Sequence, residues 1–76
     1  MKATIENVKV YERTFAAEVR EAKRFARKVS GITMSLDDVA SNLRRMFPGW
    51  FVYRGGNHVA LHAIDGDARR LMLVTA

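Results

Sequence analysis

Two histidines, His58 and His62, are the side chains of this chain best suited to acid–base chemistry or metal binding. At the 3.3 Å rise per residue of a β-strand they lie about 13 Å apart, which is too far to share one metal ion. The chain contains no cysteine, and no serine lies in a motif typical of an activated nucleophile. The sequence therefore predicts no metal site and no cofactor. His58 remains the one candidate for catalysis, as a general acid or base, and a protein that is not an enzyme is the stronger expectation.

Both histidines belong to a stretch, residues 50–64, that predicts a β-hairpin. Aromatic and β-branched residues fill its two arms, and Gly55-Gly56-Asn57 between them is typical of a tight turn. A two-residue loop, either Gly55-Gly56 or Gly56-Asn57, keeps the side chains with polar or aromatic character on one face. That face contains Phe51, Tyr53, His58 and His62, and the other contains Val52, Val59 and Leu61.

A second turn is predicted at Asp65-Gly66-Asp67, followed by a strand over residues 69–74. A three-residue loop there aligns Leu61 with Leu71 and Val59 with Leu73 in the core, and it places His62 opposite Arg70. In this register the second face of the sheet is exposed. It is predicted to show Phe51, Tyr53, His58, His62, Arg70, Met72 and Val74.

The N-terminal part predicts an edge strand and then an amphipathic helix. Val8-Lys9-Val10-Tyr11 is a short β-prone run, and Lys9 would discourage pairing with another sheet. From about Thr14 to Val29 the apolar period becomes that of a helix, with Gly31 as its C-terminal cap. The predicted buried stripe is Phe15, Val19, Ala22, Ala26 and Val29.

The opposite side of this helix is basic and carries Arg20, Lys23, Arg24, Arg27 and Lys28. One interpretation is a solvated surface whose cations match the helix dipole. The other is a patch that contacts phosphates, because cations on one helix side can follow a nucleic-acid backbone without reading its sequence.

The second helix is predicted to begin at Ser35-Leu36-Asp37-Asp38, a pattern close to a capping box, and to end at Pro48-Gly49. Arg44 and Arg45 near its end are explained by the helix dipole alone. Its predicted buried stripe is Leu36, Val39, Ala40, Leu43 and Phe47.

Together these elements predict one small α+β domain of 76 residues. Its order is β-α-α-β-β-β, with an antiparallel three-strand meander and an N-terminal strand packed on two helices in two layers. No apolar run approaches the roughly 18 residues of a membrane span. Without cysteine or a signal peptide, a cytoplasmic location is expected.

Thirteen Lys and Arg against eight Asp and Glu give a net charge of +5, which favours nucleic acid or an acidic protein as the partner. The leading hypothesis is a basic, non-enzymatic module that binds RNA or DNA. The cations assigned to it are those of the first helix together with Arg54 and Arg70. The sheet residues assigned to it are Phe51, Tyr53, His58, His62 and Met72, because flat rings can stack unpaired bases.

Two alternatives use the same residues. A rich patch of Tyr, Phe, Met and Arg also suits a protein interface. The chain would then be a small regulator or inhibitor of an acidic partner, or a homodimer formed through the exposed sheet face.

The other alternative comes from a resemblance. Residues 43–66 contain a helix ending before Gly49-Trp50, then Arg54, then Gly56-Asn57-His58 at the start of a strand, and a turn at Gly66. This arrangement resembles the core of HicA-type toxin ribonucleases, which have a fold like that of double-stranded-RNA-binding domains. The resemblance implies that His58 is a catalytic base and that the basic surface holds RNA.

Overall fold

The computed structural model of the protein describes residues 2–11, 16–63 and 70–76. Within these ranges the predicted α+β class is confirmed, and so is the order of the two helices and the strands around them. Two very short strands, Lys2–Thr4 and Thr33–Ser35, are additional to the prediction. The helices are α1 (Ala16–Val29) and α2 (Leu36–Met46); the strands are β1 (Lys2–Thr4), β2 (Asn7–Val10), β3 (Thr33–Ser35), β4 (Phe51–Arg54), β5 (His58–His62) and β6 (Arg70–Thr75).

The main sheet has four antiparallel strands in the order β2-β6-β5-β4. The predicted meander of the last three strands is confirmed, and β2 is an edge strand as predicted. The sequence did not predict its neighbour, which is the C-terminal strand β6, where Val8 lies opposite Val74. Both helices pack on one side of this sheet, and the buried side chains of the two layers form a single core.

β1 and β3 form a separate two-stranded antiparallel sheet, which joins the N-terminal segment to the connection between the helices. Ile5, just after β1, is fully buried, and its N–H donates to the carbonyl of Ile32 at 2.9 Å. Its own carbonyl accepts the N–H of Gly31 at 2.8 Å. Gly31 has a φ of 80°, a left-handed conformation that favours glycine, so the predicted C-terminal cap of α1 is confirmed.

Helix α1 buries a wider stripe than predicted. Val19, Ala22 and Val29 are buried as expected, whereas Ala26 is only half-buried. Phe25, which the prediction omitted, is buried beside them. Thr14 and Phe15, the predicted start of the helix, lie outside the described residues.

Helix α2 follows the prediction closely. The hydroxyl of Ser35 caps its N-terminus and accepts the N–H groups of Asp37 and Asp38 at 3.0 and 3.4 Å. The predicted stripe of Leu36, Val39, Ala40, Leu43 and Phe47 is entirely buried. After Phe47 the chain leaves the helix through Pro48 and through Gly49, which has a φ of 89°.

The predicted hairpin is confirmed, with Gly56-Asn57 as its two-residue loop. Gly55 and His58 close the loop, with the N–H of Gly55 donating to the carbonyl of His58 at 2.8 Å. Phe51 then lies opposite His62, and Tyr53 lies opposite Ala60. Phe51, Tyr53, His58 and His62 therefore share one face of the hairpin, as the two-residue loop predicts.

The predicted register between β5 and β6 was correct at one end only. His62 lies opposite Arg70 as predicted, but a β-bulge follows, and Leu61 then lies opposite Met72 instead of Leu71. Because the bulge inserts one extra residue into β6, both Leu71 and Met72 enter the core.

The shift of one residue continues to the end of the strand, where Val59 lies opposite Val74 instead of Leu73. The predicted exposure of Met72 and Val74 was therefore wrong: both are 0% exposed and belong to the core. Asp65-Gly66-Asp67, where the second turn was predicted, lies outside the described residues.

Candidate nucleic-acid interface

The side of the main sheet that faces away from the helices is called the open face below. Its members follow from the strand register, because residues directly opposite each other in antiparallel strands point to the same side. They form three rows that cross the sheet from β4 to β2. The described side chains of the open face are Asn7, Lys9, Tyr11, Phe51, Tyr53, His58, Ala60, His62, Arg70, Leu73 and Thr75.

The first row joins aromatic rings to a cation. Phe51 lies opposite His62, and His62 lies opposite Arg70. The guanidinium carbon of Arg70 lies 5.9 Å from the ring centroid of Tyr11, which follows β2. This cation–π contact orients Arg70 across the face toward the β2 edge.

The second row is Tyr53, Ala60, Leu73 and Lys9. Ala60 is buried although it lies on the open face, because its methyl group is small and the longer side chains of the neighbouring strands surround it. The Lys9 ammonium lies 5.0 Å from the ring centroid of Tyr11. Tyr11 therefore lies between two cations, Lys9 and Arg70.

The third row contains His58, with Thr75 opposite it on β6 and Asn7 beyond on β2. The ring centroid of His58 lies 5.9 Å from that of Tyr53, with the two planes tilted by 34°. A shallow depression between these rows is lined by Asn57, His58, Arg70, Leu73 and Thr75.

Aromatic exposure and positive charge coincide on the open face. Phe51 is 63% exposed and Tyr53 is 61% exposed, and both lie on the edge strand β4. Lys9 and Arg70 are also exposed. None of the described residues of this face is acidic, so its Lys and Arg side chains are not offset by a carboxylate among those residues.

The five predicted cations of α1 lie elsewhere. Arg20, Lys23, Arg24, Arg27 and Lys28 are all exposed on the outer side of the helix, in the layer opposite the open face. Arg24 forms an ion pair with Glu21 at 3.4 Å, one turn earlier on the same helix. The structure thus divides the predicted binding residues between two surfaces on opposite sides of the domain.

Arg54, another predicted phosphate contact, also lies away from the open face. Its Nε donates to Oδ1 of Asp37 at 3.1 Å, and its terminal nitrogen donates to the carbonyls of Gly55 and Gly56. Because Asp37 belongs to the first turn of α2, Arg54 links the hairpin loop to that helix.

Of the predicted site residues, the structure brings five together on the open face: Phe51, Tyr53, His58, His62 and Arg70. Met72 was wrongly included, because it is buried on the helix side. Lys9 and Tyr11 were missed as members of the site. Lys9 and Tyr11 alternate with Val8 and Val10 in the sequence, which predicts that they share one face of a strand. Only the pairing of β2 with β6 brings them beside Arg70.

Among the described residues, no group of three or more His, Cys, Asp or Glu side chains lies close enough to hold a metal ion. No helix within the described ranges is long and apolar enough to cross a membrane.

Comparisons of the chain with protein-family models, with curated proteins and with solved structures gave no significant match. The resemblance of residues 43–66 to HicA-type toxin ribonucleases therefore stays a prediction.

Proposed function

We propose that this protein is a binding module for single-stranded nucleic acid and that the open face is its binding surface. The observation that carries the proposal is the combination of two highly exposed rings, Phe51 and Tyr53, with Lys9 and Arg70 on one sheet face. Rings exposed to solvent can stack on bases, and cations on the same face can neutralise phosphates.

The spacing of the strands defines how a ligand would lie. Neighbouring strands are about 4.8 Å apart, so β4 and β2 are separated by about 14 Å. One strand of a few nucleotides would stack its bases on Phe51 and Tyr53 and extend its backbone toward Lys9 and Arg70. A duplex fits this surface less well, because its bases are already stacked on one another.

The basic side of α1 supports the proposal only indirectly. It lies in the opposite layer, so a short ligand on the open face does not reach Arg20 or Arg27. Its positive charge attracts polyanions over a longer range and raises the rate of encounter. Within the helix, the pairing of Arg24 with Glu21 fits a solvated helix surface.

The test is fluorescence anisotropy with labelled single-stranded RNA, single-stranded DNA and duplex, comparing the wild type with a Phe51→Ala/Tyr53→Ala variant. Each stacked ring contributes about 1–3 kcal/mol, so the loss of both should weaken single-strand binding at least about 30-fold. The matched control is Ile32→Ala/Met46→Ala, which removes two exposed apolar side chains from the helix layer. Equal binding by the wild type and the Phe51→Ala/Tyr53→Ala variant would refute the proposal.

The same samples test the ribonuclease implied by the resemblance. For a binding module, each RNA should remain intact after incubation. Cleavage that disappears in a His58→Ala variant would instead assign catalysis to His58, which lines the same depression as Arg70.

A protein partner is the second candidate, and a groove between the two helices favours it. The groove is lined mainly by apolar side chains together with Lys28, Asn42 and Arg45, so it suits an apolar segment with acidic flanks. Its apolar lining is Phe25, Val29, Ile32, Met34 and Met46. Failure of the nucleic-acid test, together with capture of an acidic protein that the Ile32→Ala/Met46→Ala variant loses, would favour this function.

A further inference from the structure

The edge strand β4 has backbone groups that can pair with another strand. Gly55 donates to His58, so Gly55, Tyr53 and Phe51 direct their backbone groups toward β5. The alternate residues, Val52 and Arg54, direct their N–H and C=O groups away from the sheet. No backbone group of the described residues hydrogen-bonds to these outward groups.

The two edges of the sheet differ in their protection. The β2 edge carries Lys9 in its middle, a side chain that discourages pairing with a further strand. The β4 edge has the sequence Phe-Val-Tyr-Arg and contains no lysine, no proline and no bulge. By these criteria β4 is the edge that is less protected against pairing with a further strand.

We propose that β4 pairs in an antiparallel manner with β4 of a second copy of this chain, about a two-fold axis at Val52. In this register Val52 lies opposite Val52 of the second copy, and Phe51 lies opposite Tyr53. Trp50 lies opposite Arg54. Val52 therefore meets its own equivalent and a ring meets a ring, while the Arg54 side chain stays bound to Asp37 and to the loop carbonyls.

The directions of the backbone groups agree with this register. The outward N–H and C=O of Val52 form two hydrogen bonds with their equivalents in the second copy. The outward N–H of Arg54 donates to the carbonyl of Trp50; the Trp50 N–H is already used by Phe47 at 3.1 Å. Phe51 and Tyr53 then form non-hydrogen-bonded pairs, in which facing side chains approach most closely.

The dimer should be weak and should respond to salt. An interface of about five residues per chain is smaller than that of a stable complex, and two chains of charge +5 repel each other. Added salt screens this repulsion and strengthens the dimer, whereas it weakens nucleic-acid binding. The dimer does not depend on the proposed function. If that function holds, the dimer joins two open faces into one eight-stranded surface.

The test is sedimentation velocity without nucleic acid, at protein concentrations from about 10 µM to about 1 mM, a range suited to weak association. The wild type should show a reversible monomer–dimer equilibrium that shifts toward the dimer at higher salt. Phe51→Lys/Tyr53→Lys places cations opposite cations and should be monomeric throughout. Phe51→Glu/Tyr53→Lys places each introduced carboxylate opposite an introduced ammonium of the second copy and should restore the dimer.

The matched control is Ala17→Lys/Ser30→Lys, which adds the same two charges at exposed positions of the helix layer. This control should still dimerise, and circular dichroism should show that every variant is folded. A monomeric wild type at the highest concentration would overturn the proposal. A folded Phe51→Glu/Tyr53→Lys variant that dimerises no better than Phe51→Lys/Tyr53→Lys would also overturn it. None of these measurements involves nucleic acid, so failure of the dimer proposal is distinguishable from failure of the proposed function.

Discussion

The imidazole ring of His58 lies directly over the backbone of Gly55, its pairing partner across the hairpin loop. A Cβ atom at Gly55 would lie 2.2 Å from Cε1 of that ring and 2.6 Å from Nε2, well inside van der Waals contact. The φ of Gly55 is not in the left-handed region. A side chain at this position would therefore displace the His58 ring, because the ring occupies the volume that a Cβ atom would take.

Gly55→Ala should therefore move the His58 ring without straining the backbone. We expect a clear shift of the His58 ring signals in NMR spectra and, if the ring contacts the ligand, a lower affinity for single-stranded nucleic acid. Gly56→Ala is the matched control, because no atom lies within 4 Å of the position that its Cβ would take. Unchanged His58 signals in Gly55→Ala would show that the ring does not lie over Gly55 in solution.

The two basic surfaces should contribute differently to the salt dependence of binding. Each phosphate contact on a single strand adds about 0.7 to the slope of log affinity against log salt. Lys9→Gln/Arg70→Gln removes two cations from the open face and should reduce the slope by about 1.4. Arg20→Gln/Arg27→Gln removes the same charge from the helix layer and should change the slope little. Equal losses in the two variants would mean that the ligand contacts both layers.

The corrected register of β6 predicts unequal effects of two neighbouring truncations. Met72 is fully buried, so Met72→Ala should lower the free energy of unfolding by about 2–5 kcal/mol. Leu73 is half-buried on the open face, and Leu73→Ala should cost about 1 kcal/mol. Urea denaturation with far-UV circular dichroism measures both values. A larger cost for Leu73→Ala would support the register originally predicted from the sequence.

The helices and the hairpin could be predicted because each carries a local signal. Ser35 is a strong N-cap residue, and the apolar residues of α2 recur at the helical period. The hairpin has a glycine-rich turn between two β-prone arms. These signals depend only on residues close in sequence, so no knowledge of the tertiary structure was needed.

The register of β6 could not be predicted for a physical reason. Leu71-Met72-Leu73-Val74 is apolar throughout, so it has no alternation that would distinguish the core side from the open side. The bulge at Leu71 is tolerated because Leu71 and Met72 are both apolar and both pack in the hydrophobic core. At Arg70, where polarity marks one side, the predicted pairing with His62 was correct.

The site could be predicted only in part, because its two halves come from opposite ends of the chain. The rings of Phe51 and Tyr53 lie in one hairpin, where alternation placed them on one face. Lys9 and Tyr11 join them through the pairing of β2 with β6, a contact between residues more than 60 positions apart. The basic side of α1 was predicted to bind because of its number of cations. A count of charges does not indicate which layer those cations occupy.

The alternation of side chains along β6 also bears on how such a protein can change over generations. Met72 and Val74 belong to the core, while Arg70, Leu73 and Thr75 lie on the open face, so one strand contributes side chains to both sides of the sheet. Substitutions on the open face can change the charge and the exposed rings of that surface while the packed interior is retained. The fold is thus a scaffold whose open face is free to diverge in sequence without loss of the core.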